Sequence, residues 1–180
     1  VTRPLDSVRA RLDAIDGLGP EARADAGDHA ALRLWLRMLA CTKQIEGEIR
    51  RRLAARFGIS LARFDYLAQL HRRPEGLRMK ELGRCLMVTG GNVTSLTDEL
   101  EREGWVTRVA DRLDRRVWIL RLTAKGRIAF EAMAREHEGW ILELFGQSDP
   151  RGLRQLHQQL GALRVHVAAL LQAPPEGEET

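Results

Sequence analysis

Residues 105–123, WVTRVADRLDRRVWILRLT, form the one β-rich stretch in a chain otherwise patterned for helices. Val, Ile, Trp and Thr crowd both flanks and a charged turn separates them, which predicts two antiparallel strands. A lone two-stranded hairpin is at best marginally stable in water. This one must lie against helices, so the chain is constrained to a helical fold carrying one small β element. The turn itself is unusual. Residues 110–116 hold three arginines and two aspartates, although a hairpin tip needs only residues that tolerate turn geometry, such as Gly, Asn, Asp or Pro. The arginines therefore want a role outside the fold.

The surrounding helices can be read from period and punctuation. From 29 to 57, Leu34, Met38, Ile45, Ile49 and Leu53 recur at helical spacings, with arginines filling other positions. Gly58 suits the C′ position of that helix, and Ser60 suits the N-cap of a second, LARFDYLAQLHRR. PEGL reads as a turn, RMKELGRCLMV as a short third helix, and Thr89 as the cap of a fourth that ends at Gly104. After the hairpin, Thr123 caps a long helix and Asp149–Pro150 opens a last one, striped by Leu153, Leu156, Leu160, Leu163, Val167 and Leu170. The expected fold is mainly α with a small β-hairpin: a winged helix-turn-helix over 58–123, between long dimerisation helices over 29–57 and 124–172. Residues 1–28 read as an N-terminal extension with one short helix, and the acidic tail 173–180 as disordered. The stripes of the long helices have no core of their own to bury, which predicts a homodimer with twofold symmetry.

Composition narrows the partners. The net charge is +4, and lysine occurs only at 43, 80 and 125, so arginine supplies nearly all of the positive charge. That balance favours an acidic partner, nucleic acid first. No apolar run approaches the roughly 20 residues that span a bilayer, and VTRPLDSVRARLD lacks an apolar signal core. The expectation is a cytoplasmic protein with no membrane partner. The five histidines make no metal-binding spacing, and no nucleophile–base pair or phosphate loop stands out. No metal, cofactor or catalytic residue is expected, and the chain does not read as an enzyme. Cys41 and Cys85 are expected to be buried small apolar residues.

In a helix-turn-helix, the second helix enters the major groove with its N-terminal half. Here that half is TGGNVTSLTDE. Val93, Leu96 and Leu100 suit the buried face, which leaves Gly91, Asn92, Thr94, Ser95 and Asp98 outward. Gly91 permits close approach of the backbone, Asn92 matches an adenine edge, and Thr94 and Ser95 suit either a base edge or a phosphate. A wing tip reaches the adjacent minor groove, whose negative potential attracts arginine. Asp114 and Arg116 are two apart and share one face of an extended tip, so Asp114 can orient the Arg116 guanidinium. Arg116 and then Arg115 are the first candidates for the groove, with Arg112 and Arg108 on the DNA backbone. A winged helix turned protein-interaction module is the competing class, and it has no need of these arginines beside Asn92 and Ser95.

With these motifs the chain resembles the MarR family of bacterial regulators over about residues 30–172. Glu101 to Gly104 matches its Glu-x-x-Gly, Asp114 with Arg116 its D-x-R wing tip, and Leu122-Thr123 with Gly126 its Leu-Thr-x-x-Gly. The resemblance implies a homodimer on a pseudo-palindromic double-stranded DNA operator, usually as a repressor, and a small-molecule effector. Three subtypes differ in that effector. Peroxide sensors carry a cysteine where Leu36 stands here. Urate binders share an aspartate like Asp65 and use a tryptophan in an N-terminal helix, but residues 1–27 contain none. LRLWLRMLACTKQIEGEIRRRL, RFDYLAQL and LMVTGGNVTSL look like regulators of hydroxycinnamate catabolism, some of which answer to an aryl-coenzyme A thioester. That likeness makes Arg33, Arg37, Arg50 and Arg51 candidates for the pocket mouth and Trp35, Met38 and Phe64 candidates for flanking an aromatic ring. Asp65 is expected to pair with an arginine or to meet the ligand.

Overall fold

The computed structural model describes residues 30–86, 93–111, 117–146 and 148–172. Helix α1 (Ala30–Phe57) leads to α2 (Leu61–His71), a short strand β1 (Leu77–Arg78), α3 (Met79–Cys85) and α4 (Val93–Arg102). Strands β2 (Val106–Ala110) and β3 (Trp118–Leu122) follow, then α5 (Ala124–Phe145) and α6 (Pro150–Gln172). The expected boundaries hold where punctuation is chemical. Gly58 takes φ +66° and its N–H bonds Ala54 O at 3.0 Å, a backbone that an L side chain rarely adopts. Ser60 Oγ accepts from Arg63 N at 3.2 Å, and Asp149 Oδ2 from Gly152 N at 2.9 Å. Both satisfy donors that the first turn of a helix leaves orphaned.

One element is new. Leu77–Arg78, read from sequence as a turn and the start of a helix, forms β1 and pairs antiparallel with β3, giving the sheet order β1-β3-β2. Gly76 makes that approach possible. Its φ is +91°, and a Cβ there would stand 2.6 Å from Leu120 O. Side chains alternate across the sheet. Leu77, Leu120 and Val106 are buried and lie on one face with Leu122, while Arg78, Ile119 and Arg121 lie on the other.

The chain divides into two compact units, the first ending at Glu138 and the second beginning at Gly139, within α5. The core lies in the first. Ile49 and Leu53 of α1, Phe64, Tyr66, Leu67 and Leu70 of α2, Leu82 of α3, Leu100 of α4, and Phe130 and Met133 of α5 are buried. On α4 the buried positions are Thr97 and Leu100, whereas Val93 and Leu96, expected inside, are half-covered. The second unit contains no buried residue along α6. Both cysteines are exposed, not buried. Cys41 sits on the N-terminal half of α1, eight residues before the first buried position of that helix, and Cys85 ends α3.

A small knot closes the hairpin. Helix α4 ends in a Schellman arrangement, with Gly104 at φ +74°, Gly104 N–H bonded to Glu101 O at 2.9 Å and Trp105 N–H to Leu100 O at 2.9 Å. Where the returning strand ends, at the base of the wing, Thr123 N–H donates to Trp105 O at 3.0 Å and Thr123 Oγ1 to Gly104 O at 2.7 Å. The same Oγ1 accepts from Gly126 N at 2.9 Å as the cap of α5. Gly126 packs so closely here that a Cβ would lie 2.0 Å from Trp105 O. The Glu-x-x-Gly and Leu-Thr-x-x-Gly motifs are thus the two halves of one backbone junction.

Two glycine substitutions should separate close packing from helix propensity. Gly126→Ala should lower stability by about 1–3 kcal/mol, because Trp105 O can retreat only by giving up its bond to Thr123. Gly47→Ala, in α1 with nothing within 4 Å of the added Cβ, should raise it by up to about 1 kcal/mol. Urea midpoints of the two variants shifting in the same direction would contradict this assignment.

Candidate nucleic-acid interface

Helix α4 is the candidate recognition helix, and two polar contacts fix its attitude. The first is buried. Tyr66 Oη of α2 lies 2.6 Å from Thr97 Oγ1, and both side chains are fully buried. Thr97 Oγ1 donates to Val93 O at 2.6 Å, one turn back. Its single hydroxyl proton is thereby used, so Tyr66 donates and Thr97 accepts. A chain of hydrogen bonds runs from the scaffold helix to a first-turn carbonyl of the reading helix. Burial pushes the Tyr66 phenol up to about 12. Thr97 was not singled out from sequence. The available signal was its place one turn from Val93 and three residues before Leu100, on the inward stripe.

The second contact joins the helix to the wing. The Arg108 guanidinium on β2 pairs with Asp98 of α4, and its Nη1 lies 2.9 Å from Glu101 Oε2. Arg108 N–H also donates to Glu101 Oε1 at 3.3 Å. The hydrogen bond to Asp98, with the charges of Glu101 and Asp98, holds the guanidinium proton more tightly than usual. Arg108 was expected on the DNA backbone; its guanidinium instead meets two carboxylates of its own chain. Asp98 and Glu101 are three apart on one helix face, a pattern that was visible in the sequence.

Thr94, Ser95 and Asp98 are exposed on α4, as expected. Ser95 Oγ lies 3.4 Å from Glu99 Oε1, a weak contact. At the outer end of the β2–β3 ladder, Asp111 N–H bonds Val117 O at 2.9 Å and Arg78 Nη2 donates to Asp111 Oδ2 at 2.8 Å, tying the hairpin to the start of α3. Arg63 adds a further tie. It pairs with Glu103, and its guanidinium carbon lies 5.4 Å from the centre of the Trp105 ring. Gly91, Asn92, Arg112, Asp114, Arg115 and Arg116 lie outside the described residues, as do Thr89, the extension 1–28 and the tail 173–180.

The candidate effector residues fall into two groups within one chain. Arg33, Trp35 and Arg37 stand exposed near the start of α1, the indole 56% so, and Met38 is half-buried. Phe64 and Asp65 belong to the core of α2. Phe64 lies 5.5 Å from the Phe130 ring and 4.8 Å from His137, and Gln69 Nε2 donates to Asp65 Oδ1 at 3.0 Å. Trp35 precedes Ile49, the first buried residue of α1, by fourteen positions, or about 21 Å of helix. Arg50 and Arg51 pair with Glu46 and Glu48 on their own helix at 3.2 and 2.7 Å. Arg51 and Arg52 together hold the Glu48 carboxyl at about 2. His71 stacks on Phe130 at 4.8 Å, and burial lowers the His137 pKa. Among the described residues, no group of three His, Cys, Asp or Glu side chains is arranged to hold a metal. No helix among them is long and apolar enough to cross a membrane.

A family model described as the MarR family matches residues 57–117. The HTH-type transcriptional regulator PecS of Dickeya dadantii is 31% identical over 118 residues, covering 63% of this chain and 69% of PecS. A MarR family transcriptional regulator from Silicibacter pomeroyi, known from its crystal structure, is 29% identical, with a TM-score of 0.66 over 82% of this chain and 99% of that one. FabT of Streptococcus pneumoniae, solved in complex with DNA, is 25% identical with a TM-score of 0.64, covering 78% of this chain and 99% of FabT.

Tyr66 is the only tyrosine, so phenolate absorbance during an alkaline titration reports the buried link alone. Its folded pKa lies above the unfolded value of about 10. The stability it confers is complete below about 10 and is lost as pH rises from there through about 12. The phenolate should appear near 12 or together with alkaline unfolding. A midpoint near 10 in a folded protein would mean that the hydroxyl is open to water.

Proposed function

The chain belongs to the MarR family of DNA-binding transcriptional regulators, and on that premise we propose that it acts as a homodimeric repressor of hydroxycinnamate-type catabolic genes, released from a pseudo-palindromic operator by a small aromatic acid or its coenzyme A thioester. Like the rest of the family, it is a regulator and not an enzyme. The observation that carries the DNA reading is the exposed first turn of α4, held by the Tyr66–Thr97 bond behind it and by the Arg108 clamp beside it. Thr94 and Ser95 are presented there with little freedom in the helix that bears them. In this reading Asn92 recognises an adenine edge, Gly91 lets the backbone approach, and Arg116 and Arg115, with Arg112 and Asp114, form the reaching tip of the wing. Arg108 sets the angle between helix and wing.

Exposed apolar residues support the dimer. Leu32, Leu34 and Trp35 on α1, and Leu156, Val167 and Leu170 on α6, stand uncovered within one chain, and apolar surface of this kind marks an interaction site. The effector reading is supported by an exposed indole, Trp35, and two exposed arginines, Arg33 and Arg37, near the start of α1. That chemistry suits an aromatic acid or the phosphates of coenzyme A, with Met38, Phe64 and Asp65 as further candidates. The ligand acts by binding the DNA-competent and DNA-incompetent states with different affinity.

Three measurements follow from this reading. Arg116→Ala should weaken operator binding by roughly ten-fold or more with fold and dimer intact; unchanged affinity in fluorescence anisotropy would remove the wing tip from DNA. Sedimentation should give a dimer that resists dilution, and a stable compact monomer would contradict the proposed interface. p-Coumaroyl-coenzyme A or p-coumarate should release the protein from DNA taken from upstream of its own gene. Release by urate alone would replace the aromatic-acid reading, and absence of any operator preference would favour a protein-interaction module.

A further inference from the structure

Trp118 opens β3 and is 51% exposed. A strand does not need its largest side chain half in water, and Trp is enriched at interfaces, where it offers an apolar face and a polar N–H. Its cross-strand neighbour is Ala110, whose methyl group leaves most of the indole uncovered. Side-chain alternation puts Trp118 on the same sheet face as Leu120, which is fully buried, and as Arg108, which pairs opposite Leu120. Arg108 reaches Asp98 and Glu101 of α4 from this face. Trp118 therefore stands in the row of side chains that turns toward the recognition helix, one pair farther out than Arg108.

Its level along that helix follows from the spacing of the two elements. The tight turn at 103–105 makes β2 run back alongside α4. Two strand residues beyond Arg108 advance about 7 Å, and a helix at ~1.5 Å per residue needs four or five residues to match that. Counted back from Asp98 and Glu101, the Ala110–Trp118 pair lies level with the first turn of α4, where Thr94 and Ser95 are exposed.

We propose that Trp118 is an additional DNA-binding residue, whose indole packs on the sugar–phosphate backbone of the strand passing between the recognition helix and the wing. This rests on the DNA-binding reading of α4 and continues that surface. The indole offers an apolar face to deoxyribose and an Nε1–H donor to a phosphate oxygen. The occupant is DNA because the sequence beside Trp118 is cationic, with Arg112, Arg115 and Arg116 preceding it. A backbone contact of this kind anchors every sequence alike and does not read bases.

The test compares wild type, Trp118→Ala and Trp118→Phe on a duplex from upstream of the protein's own gene and on a scrambled duplex of equal length. Trp118→Ala should lower affinity for both duplexes by the same factor, roughly three- to ten-fold, while Trp118→Phe keeps most of it. Circular dichroism should show the same fold, and melting should fall only slightly, because half of the side chain is already in water. In parallel, the acrylamide-quenchable fluorescence lost in Trp118→Phe should be accessible in free protein and protected in the complex. Unchanged affinity in Trp118→Ala, or an indole equally quenchable in the complex, would overturn the proposal. A loss confined to the specific duplex would overturn the backbone assignment in favour of base contact. Wild type failing on both duplexes would remove the DNA reading of α4 and this proposal with it, whereas a failure of Trp118 alone leaves that reading standing.

Discussion

The reading surface is registered by the junction at the base of the wing, where Trp105 O accepts the Thr123 N–H and the bare Cα of Gly126 lets α5 begin against it. Both ends of the hairpin are pinned at that point. The ladder then runs outward from Val106 opposite Leu122 to Ala110 opposite Trp118. Arg108 consequently arrives beside Asp98 and Glu101, and the buried face meets the helices. A slip of one residue would turn Arg108 and Leu120 to the opposite face. Gly104 with its left-handed backbone, Thr123 with its hydroxyl and Gly126 with no side chain each serve this junction in a way that a larger or apolar residue would not.

Elements whose limits depend on local chemistry were legible in the sequence. Gly58, Ser60, Gly104, Thr123 and Asp149 all bound helices where composition and spacing indicated, and both long strands lie within their expected flanks. Strand β1 was not legible, because two residues carry no periodicity and its existence depends on Gly76 approaching Leu120 O from elsewhere in the chain. Thr97 was passed over for a related reason. A polar residue is suited to burial only when a partner is known, and that partner, Tyr66, is 31 residues away and on another helix. The Arg108 clamp was half-visible: the two carboxylates share a helix face, but the arginine that joins them comes from the strand.

Exposure was harder to read than secondary structure. The stripes of α1 and α6 promise burial, yet within one chain only Ile49 and Leu53 of α1 are buried and no residue of α6 is. Amphipathic period says that a face is to be covered and does not say by which chain. The two cysteines were misjudged on the same ground, since the segments that bear them have little of their own chain over them. The effector candidates divide along this line too. Phe64 and Asp65 belong to the core that one chain completes, and Arg33, Trp35 and Arg37 to the half of α1 that it leaves open.

The clamp also resolves an electrostatic conflict on the reading helix. Asp98 and Glu101 are two negative charges three residues apart on one helix, and on the DNA-binding reading proposed for α4 they would oppose the approach of phosphates. Arg108 pairs with both and offsets one of the two charges while being only a quarter exposed itself. On the reading proposed for α4, an arginine placed this way would favour DNA through its charge, and its two partners tie the helix to the wing. Cationic residues of the wing thus divide by task. Arg108 is paired within the protein, and on the proposed reading contact with the nucleic acid falls to Arg112, Arg115 and Arg116. On that reading, the division gives a physical reason for so many arginines in so short a hairpin.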